Sequence, residues 1–136
     1  MSKENKRITG RFLKEVVNEG RMETIDELVA QSYIYHGPNG VQMQGREALK
    51  NMFTELRNAF PDLIVHPHRL LAEKEMISVQ FTLTGTHLGS FHAIPATHKK
   101  ITVEGMVMSR IENGFIQEDW EMYDSALMMS QLGLSA

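Results

Sequence analysis

Residues 114–124, GFIQEDWEMYD, read as a turn followed by a strand that carries a carboxylate, Asp124, into apolar company. Side chains alternate along a strand, so Ile116, Glu118, Trp120, Met122 and Asp124 share one face. Phe115, Gln117, Asp119, Glu121 and Tyr123 share the other. The first set is mostly apolar and the second mostly charged. An acid closing the apolar set needs a partner, a raised pKa or a task. Aspartate in water titrates near about 3.9, and burial beside Trp120 and Met122 would lift Asp124 toward the range useful for proton transfer. Such a carboxylate could take a proton from a carbon between two carbonyls, then return it to the alkoxide formed when the enolate closes a ring. The competing role is a helix cap, because residues 125–132 read as a short closing helix and Asp before a helix commonly accepts a backbone N–H.

Other side chains could complete such a site. Asn113-Gly114 is a strong hairpin signal, and a two-residue loop there sets Ile111 opposite Ile116, Val107 opposite Trp120, Gly105 opposite Met122 and Val103 opposite Asp124. Val107 and Gly105 are thus expected at the site. Gly105 leaves a hole in its strand that either accepts a ligand or marks a bend. Glu118 shares the inward face and either binds substrate or pairs with an arginine at the sheet rim. Trp120 and Met122 serve as wall or core, with the tryptophan a platform for a flat ring. His36 is a candidate polar group of the pocket; Tyr33 and Tyr35 point together on the opposite side of that segment, and only one set can face inward. His87, after a strand, either sits at the pocket mouth or hydrogen-bonds the backbone. The six histidines show no His-Glu-x-x-His spacing and no completing carboxylate, so no metal is expected.

The elements that must position these residues fall into two halves. Ile8, Phe12, Val16 and Val17 define a helical face between Asn5 and Glu19, with Gly20 as its stop. A short second helix carries Met22, Ile25, Leu28 and Val29, and an extended segment follows at residues 33–36. Leu49, Met52, Phe53 and Leu56 mark a third helix over residues 46–60, ended by Pro61. The period then changes to two: Ile77, Val79, Phe81 and Leu83 alternate with polar residues, with further strands at residues 63–71 and 100–111. Helices first and antiparallel strands later imply an α+β domain, a strongly curved sheet wrapped around the N-terminal helices, with the pocket between them.

At 136 residues the chain suits one domain, and a net charge of −3 with no basic run speaks against a nucleic-acid partner. No stretch approaches the length of a membrane span, and the polar start MSKENKRITG lacks the apolar core of a secretion signal. The absence of cysteine removes thiolate chemistry and suits a reducing cytoplasm. Met106 and Met108 lie among Thr102, Glu104 and Arg110 on the outer face of their strand, a surface that suggests a partner subunit.

Four segments together resemble the SnoaL-like polyketide cyclase or ester cyclase family, within the nuclear transport factor 2-like fold. They are Ala59-Phe60-Pro61-Asp62-Leu63, the loop from Gly85 to Phe91 leading to Ile94-Pro95-Ala96-Thr97, the strand from Ile116 to Asp124, and Gln131-Leu132-Gly133. The resemblance implies a cone-shaped α+β barrel with a deep apolar pocket, no cofactor, and a homodimer or homotetramer. It also implies that Asp124, closing the run that starts at Trp120, is the general acid/base. Ala93 and His98 stand where the family loop tends to carry glycines. The expected function is cofactor-free ring closure of an apolar, enolisable, polyketide-like carbonyl compound. Isomerisation or dehydration, a non-catalytic binding domain, and an interaction domain working through the sheet surface are the alternatives.

Overall fold

The computed structural model describes residues 2–134. Helix α1 (Ser2–Arg11) does not continue as the single α-helix that the periodicity predicts: Phe12–Asn18 winds as a π-helix. The wider turn spaces Phe12 and Val17 five residues apart on one side, and Gly20, in the left-handed region at φ 72°, ends the segment. Helix α2 (Thr24–Leu28) leads directly into strand β1 (Val29–His36), which starts earlier than the extended segment expected at residue 33. A 3-10 turn (Pro38–Gly40) and the short strand β2 (Gln42–Gln44) precede helix α3 (Arg46–Ala59). Strands β3 (Ile64–Glu73), β4 (Met76–Thr86), β5 (Lys100–Glu112) and β6 (Phe115–Tyr123) then run to the closing helix α4 (Ser125–Gln131).

The six strands form one sheet in the order β2-β1-β6-β5-β4-β3. Neighbours are antiparallel except β1 and β6, which run parallel. The expected alternation on β4 and β5 is seen: Ile77, Val79 and Phe81 are buried with Ile101, Val103 and Ile111, against Ile8, Val16, Ile25 and Leu49 from the helices. The outer face of β5 carries exposed Met106 and Met108, as its parity requires.

The β5–β6 hairpin turns at Asn113 (φ 55°) and Gly114 (φ 79°), both left-handed, as a two-residue loop matched to strand twist requires. Glu112 pairs with Phe115 and Ile111 with Ile116, the register the turn predicts. One step further the register breaks, because Arg110 pairs with Glu118 and leaves Gln117 as an extra residue on β6. This is a β-bulge, and it reverses the facing of everything after it. Val107 therefore lies opposite Glu121 rather than Trp120, and Gly105 opposite Tyr123 rather than Met122.

Candidate active site

A cavity of about 580 Å³ lies between the sheet's inner face and the helices α1 and α3. Phe12, Leu13, Met52, Phe53 and Leu56 form its helical wall, while Phe81, Val103 and Val107 line it from the sheet. Its polar groups come mostly from three adjacent strands: Tyr33 and Tyr35 from β1, Asp119, Glu121 and Tyr123 from β6, and Ser109 from β5. The bulge at Gln117 is what brings the two acids inward.

Those acids are held in a ladder. The Tyr33 hydroxyl donates to Asp119 Oδ2 at 2.6 Å and the Ser109 hydroxyl donates to Asp119 Oδ1. One rung along, the Tyr35 hydroxyl donates to Glu121 Oε1. Burial pushes the Asp119 carboxyl above its ordinary value despite these two donors, which favour its charged form. Burial also pushes Glu121 up, to about 7, with the Asp119 charge adding to the rise and the Tyr35 hydrogen bond opposing it. Burial and the adjacent carboxylates drive both phenols well above tyrosine's usual range, so Tyr33 and Tyr35 stay protonated donors. Asp119 has both oxygens engaged. Glu121 has only Oε1 engaged, so Oε2 is the oxygen available to a ligand in the cavity.

Tyr35 owes its place to a glycine. Gly37 adopts ordinary extended angles (φ −101°, ψ −176°), so its backbone does not require glycine. A Cβ there would lie 2.6 Å from Tyr35 Cε2 and 2.9 Å from its hydroxyl oxygen. The missing side chain is the space the phenol occupies.

Most residues singled out from the sequence lie elsewhere. Asp124 is exposed, past the end of β6, and its Oδ1 accepts from the backbone N–H of Leu127 at 2.9 Å, capping α4. The helix-cap alternative therefore describes Asp124, and it is not among the cavity-lining residues. Glu118, Trp120 and Met122 are turned to the outer face by the bulge, and His36 joins them there because the tyrosines take the inner face of β1. The His36 and Trp120 rings stack at 5.4 Å, and His36 Nε2 lies 2.6 Å from Glu118 Oε2. Arg110 also reaches Glu118, at 3.3 Å, so the rim-pairing alternative describes this acid. His36 and Arg110 together hold the Glu118 carboxyl below the usual carboxylate range.

Gly105 faces inward but offers no hole: a Cβ would meet Phe81 Cζ at 2.6 Å, so that ring already fills the space. Val107 does line the cavity. His87 is fully buried outside it, with Nδ1 accepting from the Thr97 N–H at 3.2 Å and its ring stacked on Phe60 at 5.4 Å. It anchors the loop rather than guarding a mouth. No three His, Asp or Glu side chains gather as a metal-binding group among the described residues.

Parity carried unbroken from the turn puts Asp119 and Glu121 on the outer face. Two signals pointed the other way. Ser109 is a polar residue on the otherwise apolar inward parity of β5, and Phe115-Ile116 puts two apolar residues in succession where alternation should begin.

A curved sheet closed by helices over a cavity with a carboxylate floor defines an α+β barrel of the nuclear transport factor 2-like class. The chain belongs to the SnoaL-like polyketide cyclase family, whose model matches residues 7–132. It is 26% identical over 119 residues to the aklanonic acid methyl ester cyclase DauD of Streptomyces sp. (strain C5), covering 83% of this chain and 73% of that protein. Among solved structures, a Jannaschia sp. CCS1 protein classed with the SnoaL-like polyketide cyclases superposes with a TM-score of 0.91 at 19% identity, over 99% of this chain and 95% of that one. An Acidithiobacillus ferrooxidans protein classed as a polyketide cyclase gives a TM-score of 0.85 at 26% identity, over 100% of this chain and 99% of that one. No described helix is long and apolar enough to cross a membrane.

Proposed function

We propose that the chain is a cofactor-free cyclase that closes a ring in an uncharged, enolisable carbonyl compound, with Glu121 as the general acid/base. The observation that carries this reading is a half-engaged carboxyl group, titrating at about 7, on the floor of an apolar cavity. A base with that pKa divides its population between the proton-accepting and proton-donating forms near neutrality, which suits one group to both steps. Its carboxylate removes a proton from a carbon flanked by carbonyls. The enolate carbon attacks a third carbonyl of the same molecule, forming a C–C bond, and the resulting alkoxide takes the proton back from Glu121. Asp119, with both oxygens engaged, acts through its charge and its grip on Tyr33, so it is a positioning residue.

The substrate's character follows from the lining. No lysine or arginine lines the cavity, and three acids do, Glu55, Asp119 and Glu121. An anionic substrate would therefore meet three acids against one histidine, His92, whereas a neutral one loses little on entering mostly apolar walls. General acid/base help is worth roughly 10²–10⁴-fold, so the substrate must already be acidic at carbon and must have its reacting ends held together by the walls. A 1,3-dicarbonyl with its acid masked as an ester meets both needs, and the relative's compound, aklanonic acid methyl ester, is the first to try. Incubation followed by mass spectrometry and chromatography reads ring closure against an enzyme-free control. Wild type should close the ring above that background and Glu121→Gln should not; ring closure that survives Glu121→Gln sinks the assignment. Binding without turnover in wild type would favour the second reading, a small-molecule-binding domain.

A homodimer through the outer sheet face belongs to the same reading, supported by exposed Met106, Met108 and Met122. Light scattering checks it. A cytoplasmic setting rests only on the absence of cysteine and is tested by fractionation.

A further inference from the structure

All three tyrosines of the chain line the cavity, and two are already engaged: Tyr33 donates to Asp119 and Tyr35 to Glu121. The third, Tyr123, makes no side-chain hydrogen bond to any described residue. Its hydroxyl is also not sealed in, since the unpaired buried side-chain atoms among the described residues are Thr9 Oγ1 and His87 Nε2. It therefore keeps contact with open space, and that space is the cavity. Burial, then the Glu121 charge, raises the Tyr123 phenol above its ordinary value, and the phenol contributes in turn to the rise at Tyr35. Its oxygen thus lies near the rung of Glu121 and Tyr35 and stays protonated at neutral pH. Across the ladder its partner is Gly105, so no β5 side chain stands directly opposite. Ser109 is spent on Asp119, and the polar lining residues Asn39, Asn51, Glu55 and His92 are exposed. Tyr123 is the neutral donor that the cavity floor leaves to a ligand.

We infer that Tyr123 is a catalytic residue whose hydroxyl donates to the substrate carbonyl oxygen next to the carbon that Glu121 deprotonates, holding the enolate as it forms. Glu121 and Tyr123 stand two residues apart on one strand face, so their Cα atoms are about 7 Å apart. A C–C=O unit with a contact at each end spans roughly 7–8 Å, so one group reaches the carbon while the other reaches the oxygen. The C–H proton passes to the Glu121 carboxylate and the electron pair moves onto the carbonyl oxygen, where Tyr123 donates without losing its own proton. When the C–C bond forms, the pair leaves the oxygen and the carbonyl is restored. A donor aimed at charge that develops during the reaction lowers the barrier more than it tightens binding. The inference rests on the reading of Glu121 as the base.

The binding arm of the test uses 1-tetralone and tetralin, the same two-ring frame with and without a carbonyl. Both are titrated calorimetrically at about pH 8.5, where Glu121 is ionised and cannot donate while Tyr123 keeps its proton. Wild type should prefer the ketone. Tyr123→Phe should weaken ketone binding roughly three- to ten-fold and leave tetralin unchanged. Its melting temperature should stay near that of wild type, because no bond inside the protein is lost. In the ring-closure assay on aklanonic acid methyl ester, Tyr123→Phe should lower kcat by roughly 10²–10³-fold and raise KM no more than ketone affinity falls. A ketone preference that survives Tyr123→Phe, equal weakening of both compounds, or an unchanged kcat overturns the inference. A melting temperature lowered by more than about 5 °C means that the hydroxyl is bonded inside the protein, and also overturns it. Failure of wild type to bind the ketone sinks the inference as well, and this arm does not depend on the ester being the substrate. Ring closure that survives Glu121→Gln removes the base, a failure told apart from these because it leaves the Tyr123→Phe binding result in place.

Discussion

Glu118 and Glu121 stand three residues apart on one strand and titrate in opposite directions. Glu118 faces out, where His36 and Arg110 hold its carboxyl low. Glu121 faces in, where burial and the Asp119 charge raise it to about 7 against the pull of Tyr35. The same side chain is thus a part-buried rim partner held low in one place and a carboxyl raised toward neutrality in the other. What separates them is facing, and facing is set by Gln117. The lesson is that the chemistry of this strand is written less in which acids it carries than in where its ladder skips.

Breaking the inward ladder should have the largest effect. Asp119→Leu would leave the Tyr33 and Ser109 hydroxyls buried without their acceptor. We expect a loss of roughly 3–5 kcal/mol or failure to fold, read by denaturant unfolding. Deletion of Gln117, by contrast, joins Ile116 to Glu118 in plain alternation and should keep Asp119 and Glu121 facing in; a folded deletion variant that has lost ring closure would contradict this register.

Glu121→Gln should come next, lowering ring-closure rate by roughly 10²–10⁴-fold. Its stability should move in a direction that a structural acid would not give. Because the folded state raises this pKa above the ordinary 4.5, it binds more protons than the unfolded chain between about pH 4.5 and 7. The contribution is fully present below about 4.5 and is lost as pH rises through about 7. The variant should therefore match wild type near pH 4 and exceed it near pH 8, by on the order of 3 kcal/mol. Chemical denaturation across that range measures the difference, and a variant less stable at pH 8 contradicts the raised pKa.

Smaller and sharper is the comparison of Tyr35→Phe with Gly37→Ala. Each should weaken the hydrogen bond that favours the Glu121 carboxylate, moving the ascending limb of the pH–rate profile to higher pH by about one unit. If Gly37 acts through the phenol, adding Gly37→Ala to Tyr35→Phe should shift the profile no further. An additive shift would assign the glycine another role.

Glu118→Gln should do least. A rim pairing with Arg110, beside a hydrogen bond with His36, is worth about 0–1 kcal/mol, and ring closure should be unchanged. A rate loss comparable to that of Glu121→Gln would reverse the contrast between the two acids.

The fold was largely legible because its signals are local and redundant. The Asn113-Gly114 turn, the alternation from Ile77 to Phe81 and the helical spacing of Leu49, Met52, Phe53 and Leu56 each stand on several residues. The site was less so. Its wall residue Val107 was found, because β5 keeps its parity along its whole length. Its acids were missed, because one unpaired residue inverts a period-two pattern, and a strand pattern gives no local sign of the energy gained by pairing Asp119 with Ser109 and Tyr33 across two neighbours. The π-helix was hidden for a similar reason: Val16 and Val17 both suit an α-helical face, and both are buried, whichever way the helix winds.

Gln117 works on β6 as an inserted letter works on a reading frame: everything downstream is decoded onto the opposite side. Relatives that conserve the tryptophan of this strand while differing in the skip would present unlike walls to their ligands from nearly identical text. Comparing them residue against residue demands counting from the turn and through the skip, since a count anchored on Trp120 alone leaves open which neighbours look into the pocket.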